Sequence, residues 1–358
     1  MLEARIAVKT MHAYRPPLAG REGLRLDFNE NTIGCSPRVL ARLHTLDAEA
    51  LARYPEREPV EGQVADFLEL DAAQVLLTNG MDEAIHLLCS TYLEPGDEAM
   101  IVVPTFAMYA IFAQVEGASL VQVPSGDDFS FPLETVLSRI SSRTRLIAVA
   151  NPNNPTGTAV ACESLLQIAR AAPQAAVLVD EAYFEFHGET LLKHAGWPPN
   201  LFVTRTFSKA YGLAGLRIGV LAGDARQMAM VRRVASPYNV NAVGLAVLPE
   251  ALADQPYVER YVREVRHGRD VLEQELRSLG LHYWPSRANF VLVRVGPGHA
   301  EFIQALRTRG ILVRDRNADP GCEGCVRLTL GSYEPTRILI GALRDVVGKL
   351  RLSSEVRA

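Results

Sequence analysis

The feature that most constrains the fold is a regular alternation of short apolar runs with helix-like stretches along the central two-thirds of the chain. The runs are rich in β-branched residues, and several end at Gly, Pro, Asn or Asp. They lie at Val75–Thr78, Ala99–Val103, Arg145–Ala150, Ala175–Val179, Leu201–Thr204 and Ile218–Leu221. Strands that are apolar on both faces, with helices between them, are typical of a buried parallel sheet. The sequence therefore predicts an α/β domain with a mainly parallel central sheet.

The pattern changes after about Pro249, where a smaller domain is predicted. Tyr257–Leu279 has the pattern of a long, charged, amphipathic helix. Strand-like runs and further helix patterns follow it, at Asn289–Val295, Ile311–Arg314, Val326–Leu330, Ala300–Arg309 and Arg337–Leu350. This mixture indicates an α+β domain, because its strands and helices do not alternate as regularly as those of the central region.

The chain length and these patterns together predict the domain organisation. At roughly 100–200 residues per domain, 358 residues correspond to about two domains. We expect residues 1–45 to form an N-terminal arm and part of the small domain, with a short helix at Pro37–His44. Residues 46–249 are predicted to form the large domain and residues 250–358 the small C-terminal domain, with the boundary inside a helix pattern.

Composition excludes several classes of protein. Hydrophobic residues make up 48% and charged residues 22% of the chain, which is typical of folded globular proteins rather than disordered ones. Lys plus Arg number 37 and Asp plus Glu 41, so the net charge is −4 and a nucleic-acid partner is not expected. No apolar stretch reaches the roughly 18 residues that span a bilayer, so we expect no membrane partner either.

Targeting signals and cysteines point to the cytoplasm. Charged residues interrupt the N-terminal segment, which argues against a secretory signal. The five cysteines are odd in number and scattered, as is typical of a reducing compartment. Cys322 and Cys325 form a single CxxC without a second pair, and this spacing favours a turn over a metal or redox site.

Polar and aromatic residues follow the carboxyl ends of the predicted strands. In open parallel sheets, ligands bind outside these strand ends. The segments concerned are Asn79–Asp82, Pro104–Phe106, Asn151–Gly157, Asp180–Tyr183 and Thr206–Lys209. We therefore expect them to meet at one edge of the sheet and to form a binding site there.

Taken singly, these residues are weak evidence of function. A lone lysine is usually a solvated surface residue, and an aspartate at a strand end is more often a helix cap. Taken together and in order, they match pyridoxal phosphate chemistry. Such an enzyme must hold an aldehyde as a Schiff base on a lysine, supply a carboxylate to the ring nitrogen and bind a phosphate. Lys209, Asp180 and Arg217 are residues of the required types.

The order NPNNPTG, VDEAY and TFSKAYGLAGLRIG resembles the fold-type-I pyridoxal phosphate aminotransferases, and most of all those that act on histidinol phosphate. The resemblance continues through HAYRPP, LDFNEN, RYPE, NGMDEAI, PTFAMY, ILVRDR and CVRLTLGS, which together cover nearly the whole chain. It implies a three-layer α/β/α domain of the aspartate-aminotransferase type beside a smaller α+β domain. It also implies pyridoxal 5'-phosphate as the cofactor.

The resemblance implies three catalytic residues. Lys209 would bind the cofactor covalently and then carry the proton that moves during transamination. Asp180 would pair with the ring nitrogen, while Tyr183 and Asn154 would hydrogen-bond the ring hydroxyl oxygen. Phe106 would stack on the ring, at a position where many relatives have a tyrosine.

The same resemblance implies a phosphate site and a shared active site. The residues implied to bind the cofactor beyond those just named are Gly80, Met81, Asp82, Thr206, Ser208, Arg217 and Tyr54. Backbone amides at a helix start, here those of Gly80 and Met81, suit a phosphate through their geometry and the helix dipole. Tyr54 matches a tyrosine that reaches the cofactor phosphate of the neighbouring subunit, which implies a homodimer.

Tyr14, Asn154, Arg314 and Arg327 are the implied substrate-binding residues. A guanidinium binds phosphate and carboxylate groups equally well in bidentate fashion. The alternating pattern around Arg327 predicts that it points away from the apolar face of its strand. For Arg314 an alternative stays open, in which it pairs with Asp315 and Arg316 on the surface.

The leading function is transfer of an amino group between L-histidinol phosphate and 2-oxoglutarate, in histidine biosynthesis. Aminotransferases of aromatic amino acids and L-threonine-O-3-phosphate decarboxylase share most of the motifs and stay open as alternatives. A transcription regulator with an aminotransferase-like domain is not expected, because few residues precede Asn31.

Overall fold

The computed structural model describes residues 2–11, 13–14, 20–193 and 197–350. Parts of the predicted arm lie outside these residues: of the HAYRPP motif, only Ala13 and Tyr14 are described. The described chain is built of helices packed on two β-sheets. No helix in the described ranges is long and apolar enough to cross a membrane.

The elements are numbered in chain order. The strands of the described chain are β1 Leu24–Leu26, β2 Val75–Thr78, β3 Glu98–Val103, β4 Ser119–Pro124, β5 Thr144–Ala150, β6 Ala176–Asp180, β7 Leu201–Thr206, β8 Gly219–Gly223, β9 His282–Trp284, β10 Phe290–Arg294, β11 Ile311–Asp315 and β12 Cys325–Thr329. The helices are α1 Ile6–Lys9, α2 Pro37–Leu43, α3 Ala48–Ala52, α4 Glu58–Leu68, α5 Gly80–Tyr92, α6 Met108–Val115, α7 Leu133–Ser138, α8 Cys162–Ala171, α9 Phe184–His187, α10 Ala225–Val234, α11 Ala242–Ala253, α12 Gln255–Ser278, α13 His299–Arg307 and α14 Tyr333–Leu350.

The larger sheet has the strand order β2-β8-β7-β6-β5-β3-β4. Neighbouring strands from β7 to β4 are parallel, whereas β8 is antiparallel to both β2 and β7. Each of the six predicted runs forms a strand. The pattern missed β4, because this edge strand is largely exposed and lacks the continuous apolar character of the buried strands.

Helices cover both faces of the larger sheet. Val177 and Val179 of β6 point into one apolar cluster, while Leu178 between them points into a second. This alternation is what a strand buried between two helical layers requires. The predicted α/β fold with a mainly parallel sheet is confirmed.

The smaller sheet has the order β1-β11-β12-β10-β9. Its strands are antiparallel except for β1, which pairs in parallel with β11, so the start of the chain lies beside residues near its end. The sequence pattern missed β1 and β9, each of only three residues. The domain limits predicted above stay a prediction.

The register of the larger sheet brings the predicted site segments to one edge. Asp180 at the end of β6 pairs with Thr204 of β7 and with Ala150 at the end of β5. Gly219, which begins the antiparallel β8, pairs with both Thr206 and Thr78. The residues that follow these strands therefore start from neighbouring points.

Candidate active site

Lys209 lies just beyond the end of β7 and is directed toward the N-terminal segment. Its side chain is partly exposed, and its Nζ donates a hydrogen bond to the carbonyl oxygen of Phe28 at 3.0 Å. Burial of the amino group, followed by the positive charge of Arg327, lowers the pKa of Lys209 to about 8. An amine with a lowered pKa is a competent nucleophile and proton carrier near neutral pH.

Asp180 is a buried carboxylate at the end of β6, with 3% of its surface exposed. The Tyr109 hydroxyl donates to Oδ2, and the backbone N–H of Ala182 donates to Oδ1 at 2.9 Å. Burial raises the pKa of Asp180 to about 6, although both hydrogen bonds act in the opposite direction. A buried carboxylate of this kind is suited to a cationic partner.

Two glycines let the start of α5 lie against the end of the sheet. Gly80, the first residue of α5, has φ +73°, and a Cβ there would collide with the Arg217 guanidinium. A Cβ at Gly219 would lie only 2.8 Å from the carbonyl carbon of Gly80 and 3.0 Å from the nitrogen of Met81. The first amides of a 13-residue helix thus border the same space as Arg217, an arrangement that suits an anion.

The other predicted phosphate residues lie around this helix start. Arg217 Nη2 donates to Asp82 Oδ2 at 3.3 Å, so the Asp82 carboxylate positions the guanidinium. Thr206 Oγ1 donates to Ser208 Oγ at 2.9 Å, and both residues are buried. The predicted phosphate site, called the cradle below, therefore combines the Arg217 guanidinium, the hydroxyl groups of Thr206 and Ser208, and the first backbone amides of α5.

Tyr183 and Asn154, the two residues implied to bind the ring hydroxyl, have partners of different kinds. The Tyr183 hydroxyl oxygen accepts a hydrogen bond from Asn29 Nδ2 at 2.9 Å. Asn154 Oδ1 accepts from Arg327 Nη1, which leaves its amide nitrogen as the donor end. Phe106 packs edge-to-face on Tyr109, the hydrogen-bond donor to Asp180, with ring centroids 5.7 Å apart.

Arg327 is buried in β12, with 4% exposure. Its Nη2 donates to the carbonyl oxygen of Asp27 at 2.7 Å, and its Nε is buried without a partner. Val326 and Leu328 on either side of it point into one apolar cluster, so Arg327 points to the opposite face of β12, where it is nevertheless buried and its guanidinium lies over the Phe290 ring. Burial lowers the pKa of Arg327 to about 10, so it stays a cation at neutral pH.

Arg314 lies directly opposite Arg327 in the antiparallel pairing of β11 with β12. Its Nη2 donates to the Tyr14 hydroxyl at 3.5 Å, and its Nη1 is buried without a partner. The alternative in which it pairs with its sequence neighbours is wrong: Asp315 lies 3.8 Å from His299, and the Arg316 ion pair is with Asp319.

Within one chain, the contacts described for Tyr54 do not place it beside the other candidate residues. It is 78% exposed and stacks on Tyr238, with ring centroids 4.3 Å apart.

Cys322 and Cys325 close a turn, in which the N–H of Cys325 donates to the carbonyl of Cys322 at 2.8 Å. The described residues contain no cluster suited to a metal ion.

Sequence reasoning missed two residues that contact the predicted catalytic groups. Tyr109 hydrogen-bonds Asp180, and Asn29 hydrogen-bonds Tyr183. Both belong to motifs that carried the resemblance, PTFAMY and LDFNEN, but only the folded chain brings them to their partners.

The arrangement fits pyridoxal phosphate. A buried carboxylate, a lysine of lowered pKa and a helix start cleared of Cβ atoms match the ring nitrogen, the aldehyde and the phosphate, respectively. The buried unpaired nitrogens of Arg314 and Arg327 match additional anions.

Comparison with known proteins places this site in a family. Residues 21–343 match the family described as aminotransferase class I and II. Histidinol-phosphate aminotransferase 1 of Nostoc sp. is 33% identical over 346 residues, which cover 95% of this chain and 97% of that protein. The chain belongs to the class I and II aminotransferases and is a transaminase.

Solved structures share the fold. Histidinol-phosphate aminotransferase from Sinorhizobium meliloti, in complex with pyridoxal-5'-phosphate, superposes with a TM-score of 0.88 at 24% identity, covering 98% of this chain and 99% of that one. Aspartate aminotransferase from Thermus thermophilus, with maleate, gives a TM-score of 0.81 at 22% identity, covering 97% of this chain and 100% of that one. The predicted aspartate-aminotransferase-type fold is confirmed.

Proposed function

We propose that the protein is a pyridoxal phosphate-dependent aminotransferase that converts L-histidinol phosphate and 2-oxoglutarate into 3-(imidazol-4-yl)-2-oxopropyl phosphate and L-glutamate. The observation that carries the proposal is the position of a low-pKa lysine near Arg327, which lies opposite Arg314 in the smaller sheet; both arginines have unpaired buried nitrogens. The lysine supplies the amino-group chemistry, and the arginines supply recognition of anionic substrates. The relatives named above support the choice of histidinol phosphate.

Lys209 is the proton carrier of the proposed reaction. Bound pyridoxal phosphate supplies an electron sink conjugated to the substrate Cα. Lys209 would carry the proton that leaves the substrate Cα during transamination, a task for which an amine of pKa about 8 is suited. Its hydrogen bond to the Phe28 carbonyl holds Nζ in place.

Asp180 and the cradle at α5 hold the two ends of the cofactor. Asp180, kept in place by Tyr109 and the Ala182 amide, would pair with the protonated ring nitrogen. Ser208, Thr206, Arg217 and the amides of Gly80 and Met81 would bind the phosphate, while Asp82 positions Arg217. Phe106 would cover one face of the ring, and Asn154 and Tyr183 would bind its hydroxyl oxygen.

Arg314 and Arg327 bind the anionic groups of both substrates in turn. A transaminase of this type receives a phosphate ester in one half-reaction and a dicarboxylic acid in the other, so one cationic site must accept both. Guanidinium groups meet this demand because their paired N–H donors match phosphate and carboxylate alike. Tyr14 adds a hydroxyl beside Arg314.

The proposal extends to assembly and location. A homodimer with shared sites is proposed because Tyr54 and Tyr238 form an exposed aromatic stack, as suits a contact with a second subunit. Tyr54 then binds the cofactor phosphate of that subunit. We place the enzyme in the cytoplasm, in keeping with its scattered free cysteines.

A coupled assay tests the function. L-Histidinol phosphate, L-phenylalanine, L-tyrosine and L-threonine phosphate are each supplied with 2-oxoglutarate, and glutamate formation and CO₂ release are both measured. We expect the highest kcat/KM for glutamate formation with L-histidinol phosphate. A higher value with an aromatic amino acid, or CO₂ release from L-threonine phosphate, would replace the proposed substrate by the corresponding alternative.

Mass measurement in solution tests the dimer. Sedimentation of the cofactor-loaded protein is expected to give twice the 39.3 kDa mass of one chain. Replacement of Tyr54 by Phe should leave that mass unchanged and weaken cofactor binding, because only the hydroxyl is lost. A monomer with full activity would contradict the shared site.

A further inference from the structure

Asn29 is a buried residue with a left-handed backbone and a side chain that hydrogen-bonds the Tyr183 hydroxyl. It has 1% exposure and φ +55°, a left-handed conformation that asparagine adopts more readily than most residues. It lies just beyond β1 and contacts the other end of the chain through Thr329 and Asn289. Nothing in the roles assigned above uses its side chain.

The Thr329 hydroxyl fixes which end of the Asn29 amide faces Tyr183. Thr329 Oγ1 accepts a hydrogen bond from the Asn29 backbone N–H at 3.1 Å, and it donates its single proton to Asn29 Oδ1 at 2.9 Å. The amide nitrogen is therefore the end that faces the Tyr183 hydroxyl, 2.9 Å away. Since an amide NH₂ only donates, the Tyr183 oxygen must be the acceptor.

This arrangement decides where the Tyr183 proton points. Its oxygen is occupied by the donor Asn29, so the phenolic proton is directed elsewhere and is available as a donor to a group bound in the site. Burial raises the pKa of Tyr183, while the charge of Arg327 and the hydrogen bond from Asn29 act against it, so the hydroxyl keeps its proton but is polarised. Chains of hydrogen bonds strengthen one another in this way.

We propose that Asn29 is a positioning residue for the aminotransferase reaction: it orients and polarises the Tyr183 hydroxyl so that this donates to the ring oxygen of the cofactor. The inference rests on the proposed function only in requiring that pyridoxal phosphate binds at Lys209. Through Asn29, the segment that follows β1 influences Tyr183, which lies just beyond the end of β6. Thr329 acts behind Asn29, as the group that orients the amide.

The pH midpoint of the visible absorbance of the cofactor-loaded protein is the measurement that tests this. A hydrogen bond donated to the ring oxygen withdraws electron density and lowers the proton affinity of the neighbouring Lys209 nitrogen. In Asn29→Gly, which retains a residue suited to φ +55°, we expect the midpoint to rise by about 0.5 to 1 pH unit, the worth of one polarised hydrogen bond. Tyr183→Phe should raise it further.

The double variant Asn29→Gly/Tyr183→Phe distinguishes positioning from general loosening. Its midpoint should equal that of Tyr183→Phe alone, because Asn29 acts through the Tyr183 hydroxyl. Asn29→Asp, close in shape but able only to accept at this position, should also raise the midpoint. Asn289→Ala removes a different hydrogen bond to the same segment and should leave the midpoint unchanged.

Two results would overturn the inference. One is an unshifted midpoint in folded, cofactor-loaded Asn29→Gly and Asn29→Asp. The other is an Asn29→Gly shift that is equally large when Tyr183 is already Phe, or is matched by Asn289→Ala. If the unsubstituted protein itself develops no visible absorbance with pyridoxal phosphate, the proposed function has failed instead, so the two failures are distinguishable.

Discussion

The two sheets place their functional residues in contrasting ways. Residues at the larger sheet follow directly from strand ends: Asp180 ends β6, and Lys209 lies shortly after β7. At the smaller sheet the important contacts join opposite ends of the chain, as when Arg327 donates to the Asp27 carbonyl and Arg314 to the Tyr14 hydroxyl. The first site is made by local strand geometry and the second by long-range assembly.

This difference suggests that the residues of the two sheets have different roles in the proposed reaction. The residues of the larger sheet contact the cofactor and the reacting atoms in the proposed function, so their loss should lower kcat. The arginines of the smaller sheet are proposed to contact groups of the substrate that do not react, so their loss should mainly raise KM. Variants at the two sheets therefore test that difference.

The largest effect is expected for Lys209→Ala. The chain has four lysines, and the other three, Lys9, Lys193 and Lys349, are exposed. None of these can take over the covalent and proton-carrying roles, so turnover should fall below detection and the visible absorbance of the bound cofactor should disappear. Lys193→Ala is the matched control and should keep both. Remaining colour and turnover in Lys209→Ala would remove this residue from the site.

Asp180→Asn is expected to lower kcat roughly 10²- to 10³-fold, the range for breaking one buried ion pair. The amide keeps the shape of the carboxylate, but it cannot favour the protonated ring nitrogen. KM for either substrate should change by much less. Steady-state kinetics at saturating cofactor separates the two constants, and a pure KM effect would contradict the division between the sheets.

Arg327→Ala is expected to raise KM roughly 10- to 100-fold for both L-histidinol phosphate and L-glutamate, since charge-assisted hydrogen bonds are lost. Arg314→Ala should have a smaller effect, because this residue is less buried and is not hydrogen-bonded to Asn154. Initial-rate measurements with each substrate varied in turn provide the test. An unchanged KM for both substrates in Arg327→Ala would show that this arginine is structural.

The smallest effect concerns the stability of the cofactor-free protein. The pKa of Asp180 is raised from 3.8 to about 6, so between these pH values the folded state binds more protons than the unfolded state. Its contribution to the free energy of unfolding therefore falls as pH rises through this window, and the residue is destabilising above pH 6. Asp180→Asn should raise the free energy of unfolding by about 1 to 2 kcal/mol at pH 7.5, after allowance for the altered Tyr109 hydrogen bond.

Denaturant titrations of the cofactor-free forms at pH 4 and pH 7.5 measure this difference. The gain from the amide should be present at pH 7.5 and largely absent at pH 4, where the native Asp180 is protonated. An equal gain at both values would mean that charge burial is not its cause.

The sequence could predict the larger sheet and the residues at its strand ends because both depend on neighbouring residues. Apolar runs mark the strands, and Asp180 or Lys209 follows within a few positions. Tyr109 and Asn29 could not be predicted in their roles, because each meets its partner only across the folded chain. β1 could not be predicted for a related reason: three residues are too few to show a strand pattern, and β1 is a strand because it pairs with β11.

The pairing of β1 with β11 also sets an order of events during synthesis. The strands of the larger sheet, from residue 75 to residue 223, emerge well before β11 and β12. Domains generally fold as units as the chain is made. The part of the site around Lys209 can therefore form before β11 is available to pair with β1. The surface proposed to bind the substrate is completed last, when residues 311–329 leave the ribosome and meet a segment made near the beginning.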